Sequence, residues 1–364
     1  MESTELTATT QSSFENIQEG DVLMKVFYAI FAILGVMGNG LVLFVFYKTP
    51  DLHVPTNILI GHQSLVDLVF SVILFLNFIP PSIDLETLGV SHPVLSNLTC
   101  KVWVSEFVYW SILKVSTINL VFLTLERYFA VVHPIKFIKI MNRRIAISMC
   151  ILAWILGIVL SIYFPFIHRV EDDGDCTSRS VMRGSPERYA IVVLSVVTTL
   201  ILPVGVMLYA YLMIFWTLRP VKDLPDTELP SNATTIHMGD TQTNGVDSRK
   251  MEFTRKAGFR DRCRRNVLIT FFLVSLSYTI CWTPDMVLYF HHNVVTRHEW
   301  SDPIHQFVIL LAVSNSWINP VIYTWKYRGF QKGLKDSLLK SRKDVTRVFR
   351  TCYTYVHNRN IQFI

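Results

Sequence analysis

The chain has 364 residues, of which 51% are hydrophobic and 17% are charged, and its formal net charge is +6. Soluble domains carry roughly a quarter charged residues, so this composition excludes an ordinary water-soluble domain. It indicates a protein whose surface is largely in contact with lipid. The excess of Lys and Arg suits a cytoplasmic face beside an anionic inner leaflet, and no nucleic acid partner is expected.

Seven apolar stretches follow one another along the chain, each close to the length of about 20 residues that a helix needs to cross a bilayer. Lipid offers the backbone no hydrogen-bond partner, so each stretch must be helical. The predicted fold is an all-α membrane protein, a seven-transmembrane helix bundle. The predicted spans lie near 24–47, 57–81, 101–132, 144–167, 188–218, 265–291 and 304–325.

The charges between the spans predict the orientation, because Lys and Arg near span ends stay cytoplasmic. Most of the 34 Lys and Arg fall on one side when the N-terminus is extracellular and the C-terminus cytoplasmic, which indicates a multi-pass protein of the plasma membrane. Residues 1–23 then form the outer tail, the bundle covers 24–325, and a flexible cytoplasmic loop covers about 219–264. No cleaved signal peptide is visible.

Residues 326–364 are predicted to hold a short amphipathic helix and the cytoplasmic tail. The apolar face of that helix comprises Trp325, Phe330, Leu334 and Leu338. Lysines lie opposite this face, a pattern typical of a helix on the membrane surface. Cys352, in the basic tail, is a candidate for palmitoylation.

On the predicted outer side, Cys100 and Cys176 meet an environment that permits oxidation, and we expect a disulfide between them. Asn97 begins an Asn-Leu-Thr sequon and is a candidate glycosylation site. The alternative is that crowding beside Cys100 keeps Asn97 unmodified. In the second outer loop, alternating residues around Asp173 and Gly174 favour a short hairpin.

Asp67 lies in the middle of the second span, where an ionisable group usually marks a pathway or a site. Polar residues near the middle of other spans are its candidate partners: Asn39, Ser116, Asn315, Ser316 and Asn319. Hard oxygen ligands suit a small cation. The candidate sodium site comprises Asp67, Ser116, Asn315 and Ser316. A hydrogen-bonded water network without an ion explains the same pattern.

Short motifs follow in order, one or two per span: GNGLV at 38–42, Asp67, Cys100, ERY at 126–128, Trp154, Pro203 with Tyr211, CWTP at 281–284 and NPVIY at 319–323. With these motifs the chain resembles the rhodopsin-like (class A) G-protein-coupled receptors over all of its spans. The resemblance implies a cell-surface receptor that activates heterotrimeric G proteins, with arrestin, receptor kinases and membrane lipid as further partners. No enzymatic activity is expected, because no catalytic cluster is found.

The resemblance also implies an activation switch. Glu126 restrains Arg127 in the resting state, and ligand contact passes from Trp282 through the kink at Pro284. The alternative for Glu126 and Arg127 is a charged pair that merely reaches the cytoplasm. The implied switch residues are Glu126, Arg127, Tyr128, Tyr211, Trp282, Pro284, Asn319, Pro320 and Tyr323.

Departures from the family pattern narrow this prediction. Val313 stands where opsins carry the retinal lysine, so no retinal is expected, and Tyr109 replaces the aspartate of amine receptors. Arg264 stands where many relatives place an acid, which predicts appreciable basal signalling. Gln63 and Tyr278 replace the usual leucine and phenylalanine, and their roles are open.

The outer half of the bundle is expected to bind the ligand. Its expected lining comprises Trp103, Glu106, Tyr109, Trp110, Asp285, Tyr289, Gln306 and Ile309, with His305 beside them. Two acids and several aromatic rings suit a cationic or aromatic ligand. Glu106 is alternatively an exposed rim charge, and Asp285 alternatively pairs with Lys114.

A peptide is the first choice of ligand, because hairpins such as the one predicted accompany peptide ligands in similar receptors. A small cationic or aromatic organic ligand is the second choice. A multi-pass transporter is the alternative from another class, but the paired broken helices or repeats that transporters show are not evident.

Overall fold

The computed structural model describes the backbone of 2–49, 54–78, 93–171, 176–178, 186–219, 244–295 and 303–339, with side chains from residue 22 in the first range and from about residue 266 in the sixth. Helices account for nearly all of these residues. The α-helices are α1 Glu2–Lys48, α2 Pro55–Phe78, α3 Pro93–Thr99, α4 Phe107–Val132, α5 Pro134–Ile140, α6 Arg143–Ser161, α7 Tyr163–Ile167, α8 Pro186–Val196, α9 Leu202–Leu218, α10 Asn244–Val294, α11 Pro303–Lys326 and α12 at 328–339.

Seven segments within these helices are long and apolar enough to cross a bilayer, which confirms the predicted bundle. They are Val22–Lys48, Pro55–Leu76, Pro93–Val132, Arg143–Ile167, Pro186–Leu218, Asn266–Val294 and Ile304–Lys326. The third begins earlier than predicted because α3 and a π-helical turn at Cys100–Val104 precede α4. A second π-helical turn, Val197–Ile201, joins α8 to α9.

The third span is the central column of the bundle. Its most apolar window is 72% buried, whereas that of the fourth span is 22% buried and faces outward. α4 packs against α2, α6, α9 and α10, while α1 packs against α2 and α11. The core is one large apolar cluster drawn from these helices.

Two short strands cover the end of the bundle that is predicted to be extracellular, here called the outer end. β1 at His168–Val170 and β2 at Cys176–Ser178 pair antiparallel, with Val170 opposite Cys176. This pairing confirms the predicted hairpin, whose turn lies outside the described residues. Cys176 is bonded to Cys100, as expected, so the hairpin is held to the outer end of the third span.

At the opposite end of the bundle, which is predicted to be cytoplasmic, α12 turns away from α11 at Tyr327. Phe330 is fully buried and its ring meets Phe46 edge-on at 6.3 Å, and Leu334 packs on the same core. The sequence predicts that Trp325 belongs to the apolar face of the amphipathic helix. In the structure it lies in the last turn of α11, before α12 begins. Trp325 and Leu338 are exposed and face the surroundings of the bundle.

The backbone of α10 is helical from Asn244 onward, so this helix includes the later part of the predicted loop of about 219–264. The part of the loop before Asn244, the side chain of Arg264 and the tail with Cys352 lie outside the described residues.

Candidate functional site

A cavity of about 360 Å³ opens at the outer half of the bundle. The third, fourth, fifth, sixth and seventh spans all contribute to it. It is lined by Glu106, Tyr109, Trp110, Lys114, Tyr163, Phe164, Ser195, Thr199, Trp282, Asp285, Met286, Tyr289, His305, Ile309, Ala312 and Val313. Most of the expected ligand-binding residues therefore meet in one space, of the size that binding sites usually have.

Trp103 and Gln306 do not line this cavity, so their contact with a ligand stays a prediction. Residues Cys100–Val104 form a π-helical turn, and Glu106 has φ of 59° in the left-handed region. The chain therefore changes direction just before α4. A prediction that treats the third span as one continuous helix then assigns Trp103 to the wrong face.

Three charged side chains line the cavity. Trp110 Nε1 donates to Glu106 Oε2 at 3.0 Å, which holds the exposed Glu106 at the rim. Asp285 lies deeper and is 8% exposed. With Lys114, the cavity combines two acids and one base.

Lys114 is 3% exposed and was not expected to line the binding site. Its Nζ donates to the hydroxyl oxygens of Thr198 and Thr199, each at 3.2 Å. Both threonines lie in the π-helical turn of the fifth span, which directs them at α4. Among the described residues no ion pair joins Lys114 to Asp285, so the internal pair that was the alternative to ligand binding by Asp285 is not formed.

Trp282 forms the floor of the cavity. The same residue lines a second space of about 20 Å³ beneath it, together with Asp67 and Ser116. Pro284 follows within α10 and Pro320 within α11, as expected of kink positions. Trp282 and Ala312 line both spaces and thus lie between the outer cavity and the polar centre of the bundle.

At the polar centre, Asp67 is 2% exposed and accepts three hydrogen bonds. Asn319 Nδ2 donates to its Oδ2 at 2.9 Å, while Ser116 Oγ and Gln63 Nε2 donate to its Oδ1 at 2.8 and 2.9 Å. Asn39 instead donates to the backbone carbonyls of Gly35 and Ser316. Asn319 and Ser116 are predicted partners, whereas Gln63 was missed.

Near the C-terminal end of α4, Arg127 and Glu126 form an ion pair. Thr56 joins them, because its hydroxyl donates to Glu126 Oε1 at 2.7 Å and accepts from the Arg127 guanidinium. The guanidinium also lies 5.3 Å from the centre of the Phe271 ring. The expected restraint of Arg127 by Glu126 is present, and Thr56 is an addition that the sequence did not reveal.

The remaining switch residues surround this pair. The hydroxyl groups of Tyr211 and Ser275 are 3.5 Å apart, and the ring of Tyr128 packs 6.1 Å from that of Tyr209. Tyr323 is fully buried, and its hydroxyl has no hydrogen-bond partner among the described residues.

The model for 7 transmembrane receptors of the rhodopsin family matches residues 38–323. The chain belongs to this family. It is 23% identical over 352 residues to somatostatin receptor type 1 of Mus musculus, covering 93% of this chain and 77% of the relative. It is 24% identical over 322 residues to galanin receptor type 2 of Rattus norvegicus, covering 86% and 75%.

A Gq-coupled rhodopsin of Mizuhopecten yessoensis is 25% identical over 323 residues, which are 87% of this chain but 59% of that relative. The crystal structure of squid rhodopsin superposes with a TM-score of 0.63 at 18% identity, covering 88% of this chain and 87% of that one. That likeness concerns the fold of the receptor family.

Within this receptor-family fold, Val313 lies on the cavity wall and is 1% exposed. It is the position where the sequence resemblance places the retinal lysine of opsins, and valine has no amine for such a bond. Asn97 is exposed at the outer end of the third span, three residues before the buried Cys100.

Proposed function

We propose that this chain is a cell-surface receptor that binds an extracellular peptide and activates heterotrimeric G proteins. Peptide receptors are prominent among its relatives, including receptors for somatostatin, galanin and tachykinin-like peptides. The observation that carries the proposal is the cavity of about 360 Å³ with Trp282 as its floor. A ligand in this cavity touches the residue that borders the polar centre.

The volume of the cavity supports partial entry of the peptide. A space of this size accepts a few side chains or one chain end, so the rest of the peptide lies against the hairpin of β1 and β2 above. The rim and wall carry Glu106 and Asp285, which suits a basic side chain or an amino terminus.

Lys114 adds a second requirement to the ligand. An ammonium group has three N–H donors, and two of those of Lys114 are directed at Thr198 and Thr199. A carboxylate or carbonyl oxygen of the ligand would accept the third. The best ligand therefore combines a cationic group with an acceptor group that reaches deeper.

A small cationic or aromatic molecule is the second candidate ligand. The stacked rings of Trp110 and Phe164, 5.8 Å apart and nearly parallel at 6°, support it because they offer a flat apolar wall for another ring. The two ligand classes differ in size, so contacts with the hairpin above the cavity distinguish them.

At the cytoplasmic end we propose that Arg127 leaves Glu126 and Thr56 when the sixth span swings outward. The freed guanidinium would meet Tyr211 and Tyr323, and the opened cleft would admit the G protein, a two-state change biased by the ligand. Arrestin and receptor kinases are proposed to bind the same face. We also propose that the receptor does not use retinal, because Val313 has no amine to bind it.

The experiment is a peptide-library screen with calcium and cyclic-AMP readouts in cells that express the receptor. Arg127→Ala should abolish signalling while it leaves binding of a labelled hit intact, and Asp285→Asn should weaken hits that carry a basic group. Epitope tags should place the N-terminus outside and the C-terminus inside. Transport of a labelled solute without any G-protein response would contradict the proposal.

A further inference from the structure

The side-chain amide of Gln63 lies between two of the residues that the sequence nominates as sodium ligands. Gln63 Nε2 donates to Asp67 Oδ1 at 2.9 Å and to Ser116 Oγ at 2.6 Å. A carboxamide nitrogen has two N–H donors, so both are used on these two oxygens. Gln63 is fully buried.

The other end of the amide is also held. Gln63 Oε1 accepts from Asn119 Nδ2 at 2.8 Å, and Asn119 in turn donates to the Leu59 carbonyl and contacts His62 Nδ1. The reversed amide would place its oxygen against the carboxylate of Asp67 and its nitrogen against the amide of Asn119. Like groups would then face each other at both ends, so the network fixes the orientation of Gln63.

These bonds occupy the oxygen lone pairs that a cation would need. Asp67 Oδ1 accepts two hydrogen bonds and Oδ2 accepts one from Asn319. Ser116 Oγ accepts from Gln63 while it gives its own proton to Asp67. A hard cation in a protein takes several oxygen ligands directed at one point, and the two best oxygens here are directed at the amide instead.

The other two nominated residues do not make up the deficit. Ser316 Oγ donates to the Val313 carbonyl at 3.0 Å. Asn315 Oδ1 has no hydrogen-bond partner among the described residues. Ser316 Oγ keeps its lone pairs, so these two residues offer two neutral oxygens, fewer than the several oxygen ligands that a hard cation takes in a protein.

The space beside the cluster is small. The cavity that Asp67, Ser116, Asn315 and Ser316 line measures about 20 Å³. A single water needs roughly 10–15 Å³ of such volume, so one water fits, and a cation with attached waters does not. The four nominated residues therefore do not fit a sodium ion while Gln63 stays in place.

We propose that the amide of Gln63 takes the place of a sodium ion, so that the polar centre of this receptor holds together without sodium. The two N–H groups of Gln63 then satisfy Asp67 and Ser116 as a cation would. The proposal does not depend on the ligand or the G protein, because it concerns the bundle alone.

The test measures thermal unfolding of the purified full-length receptor in NaCl and in KCl at equal ionic strength of about 0.15 M. An ion that binds only the folded state raises the Tm. The wild-type Tm should be equal in the two salts. Gln63→Leu keeps a similar volume but removes the donors, and its Tm should rise by about 2–4 °C in NaCl.

Gln63→Ala should show the same sodium dependence, and Asp67→Asn added to Gln63→Leu should abolish it. Ser64→Ala is the matched control, because Ser64 is equally buried on the same helix and its hydroxyl has no partner among the described residues. A sodium-selective rise in the wild-type Tm would overturn the proposal, even if neither Gln63 variant folds. So would Gln63 variants that fold and show no response to sodium.

Discussion

Tyr278 donates its hydroxyl proton to the backbone carbonyl oxygen of Thr199. Pro203 has no N–H to offer to the carbonyl four residues before it, and that carbonyl belongs to Thr199. The hydroxyl also lies 3.2 Å from Thr117 Oγ1. One side chain thus ties the sixth span to the fifth and third, one turn before Trp282, whose ring is 6.3 Å away.

Tyr278→Phe should raise basal signalling. The variant leaves the buried carbonyl of Thr199 unpaired, at a cost of about 1–3 kcal/mol, and this cost falls on the arrangement in which the sixth span is held inward. Outward movement of that span is the proposed activating change, so the active population should increase. Basal cyclic-AMP or calcium signalling, normalised to receptor at the cell surface, measures the effect.

Tyr47→Phe is the control for this comparison, because Tyr47 is 78% exposed on α1. It should leave basal signalling unchanged. Equal basal activity of Tyr278→Phe and wild type would mean that the tie does not restrain the sixth span.

Thr56→Val should also raise basal signalling, for a different reason. The Thr56 hydroxyl, on the second span, forms hydrogen bonds with both Glu126 and Arg127. Valine keeps the shape and removes the hydroxyl. Loss of one hydrogen bond worth about 1 kcal/mol changes a two-state population about fivefold, and the same basal assay would detect it.

The control here is Thr217→Val. Thr217 lies on α9, is exposed, and donates only to the Met213 carbonyl within its own helix. Unaltered basal signalling in Thr56→Val, with Glu126→Gln raising it, would show that Glu126 restrains Arg127 without help from the second span.

The sequence predicts the spans well because the requirement for about 20 apolar residues is local to each helix. It also predicts the pairing of Glu126 with Arg127, since they are neighbours. The roles of Gln63 and Thr56 could not be predicted, because each depends on which way two or three packed helices face. The sequence indicates Lys114 only as an alternative partner of Asp285, because nothing local shows that Thr198 and Thr199 turn towards Lys114.

The outer end of the third span shows why counting along a helix fails. A helical register assigns each residue a fixed angle, and the π-helical turn Cys100–Val104 changes that angle. Glu106 then adds a left-handed residue before α4 begins. Residues after this point, such as Tyr109 and Trp110, were placed correctly in the cavity, and Trp103 before it was not.

Lys114→Met and Asp285→Asn should each weaken the binding of a different group of the same ligand. For a peptide hit, Lys114→Met should reduce potency by about 10–100-fold when the peptide has an acidic group, because a hydrogen bond to a charged group is worth about 1.5–3 kcal/mol. Neutralising that group in the peptide should remove the difference between variant and wild type. Asp285→Asn should behave in the same way towards the basic group.

Lys25→Met is the control for Lys114, since Lys25 is an exposed lysine near the outer end of the first span. Concentration–response curves of the four receptors against the original peptide and its two neutralised forms would provide the measurement. Equal losses for all three peptides in Lys114→Met would assign Lys114 a structural role in place of ligand contact.

Gly157→Ala should destabilise the bundle, although alanine is the better helix former. A Cβ at Gly157 would overlap Val115 and lie 3.0 Å from the Ser111 carbonyl oxygen, so α6 would have to move away from α4. Close packing of membrane helices relies on such small residues, and overpacking costs about 1–3 kcal/mol. The measurement is the Tm of the purified receptor.

Gly205→Ala is the matched control, because a Cβ there meets no other atom within 4 Å, and its Tm should be unchanged or slightly higher. Equal Tm values for the two variants would show that the fourth span does not depend on this contact.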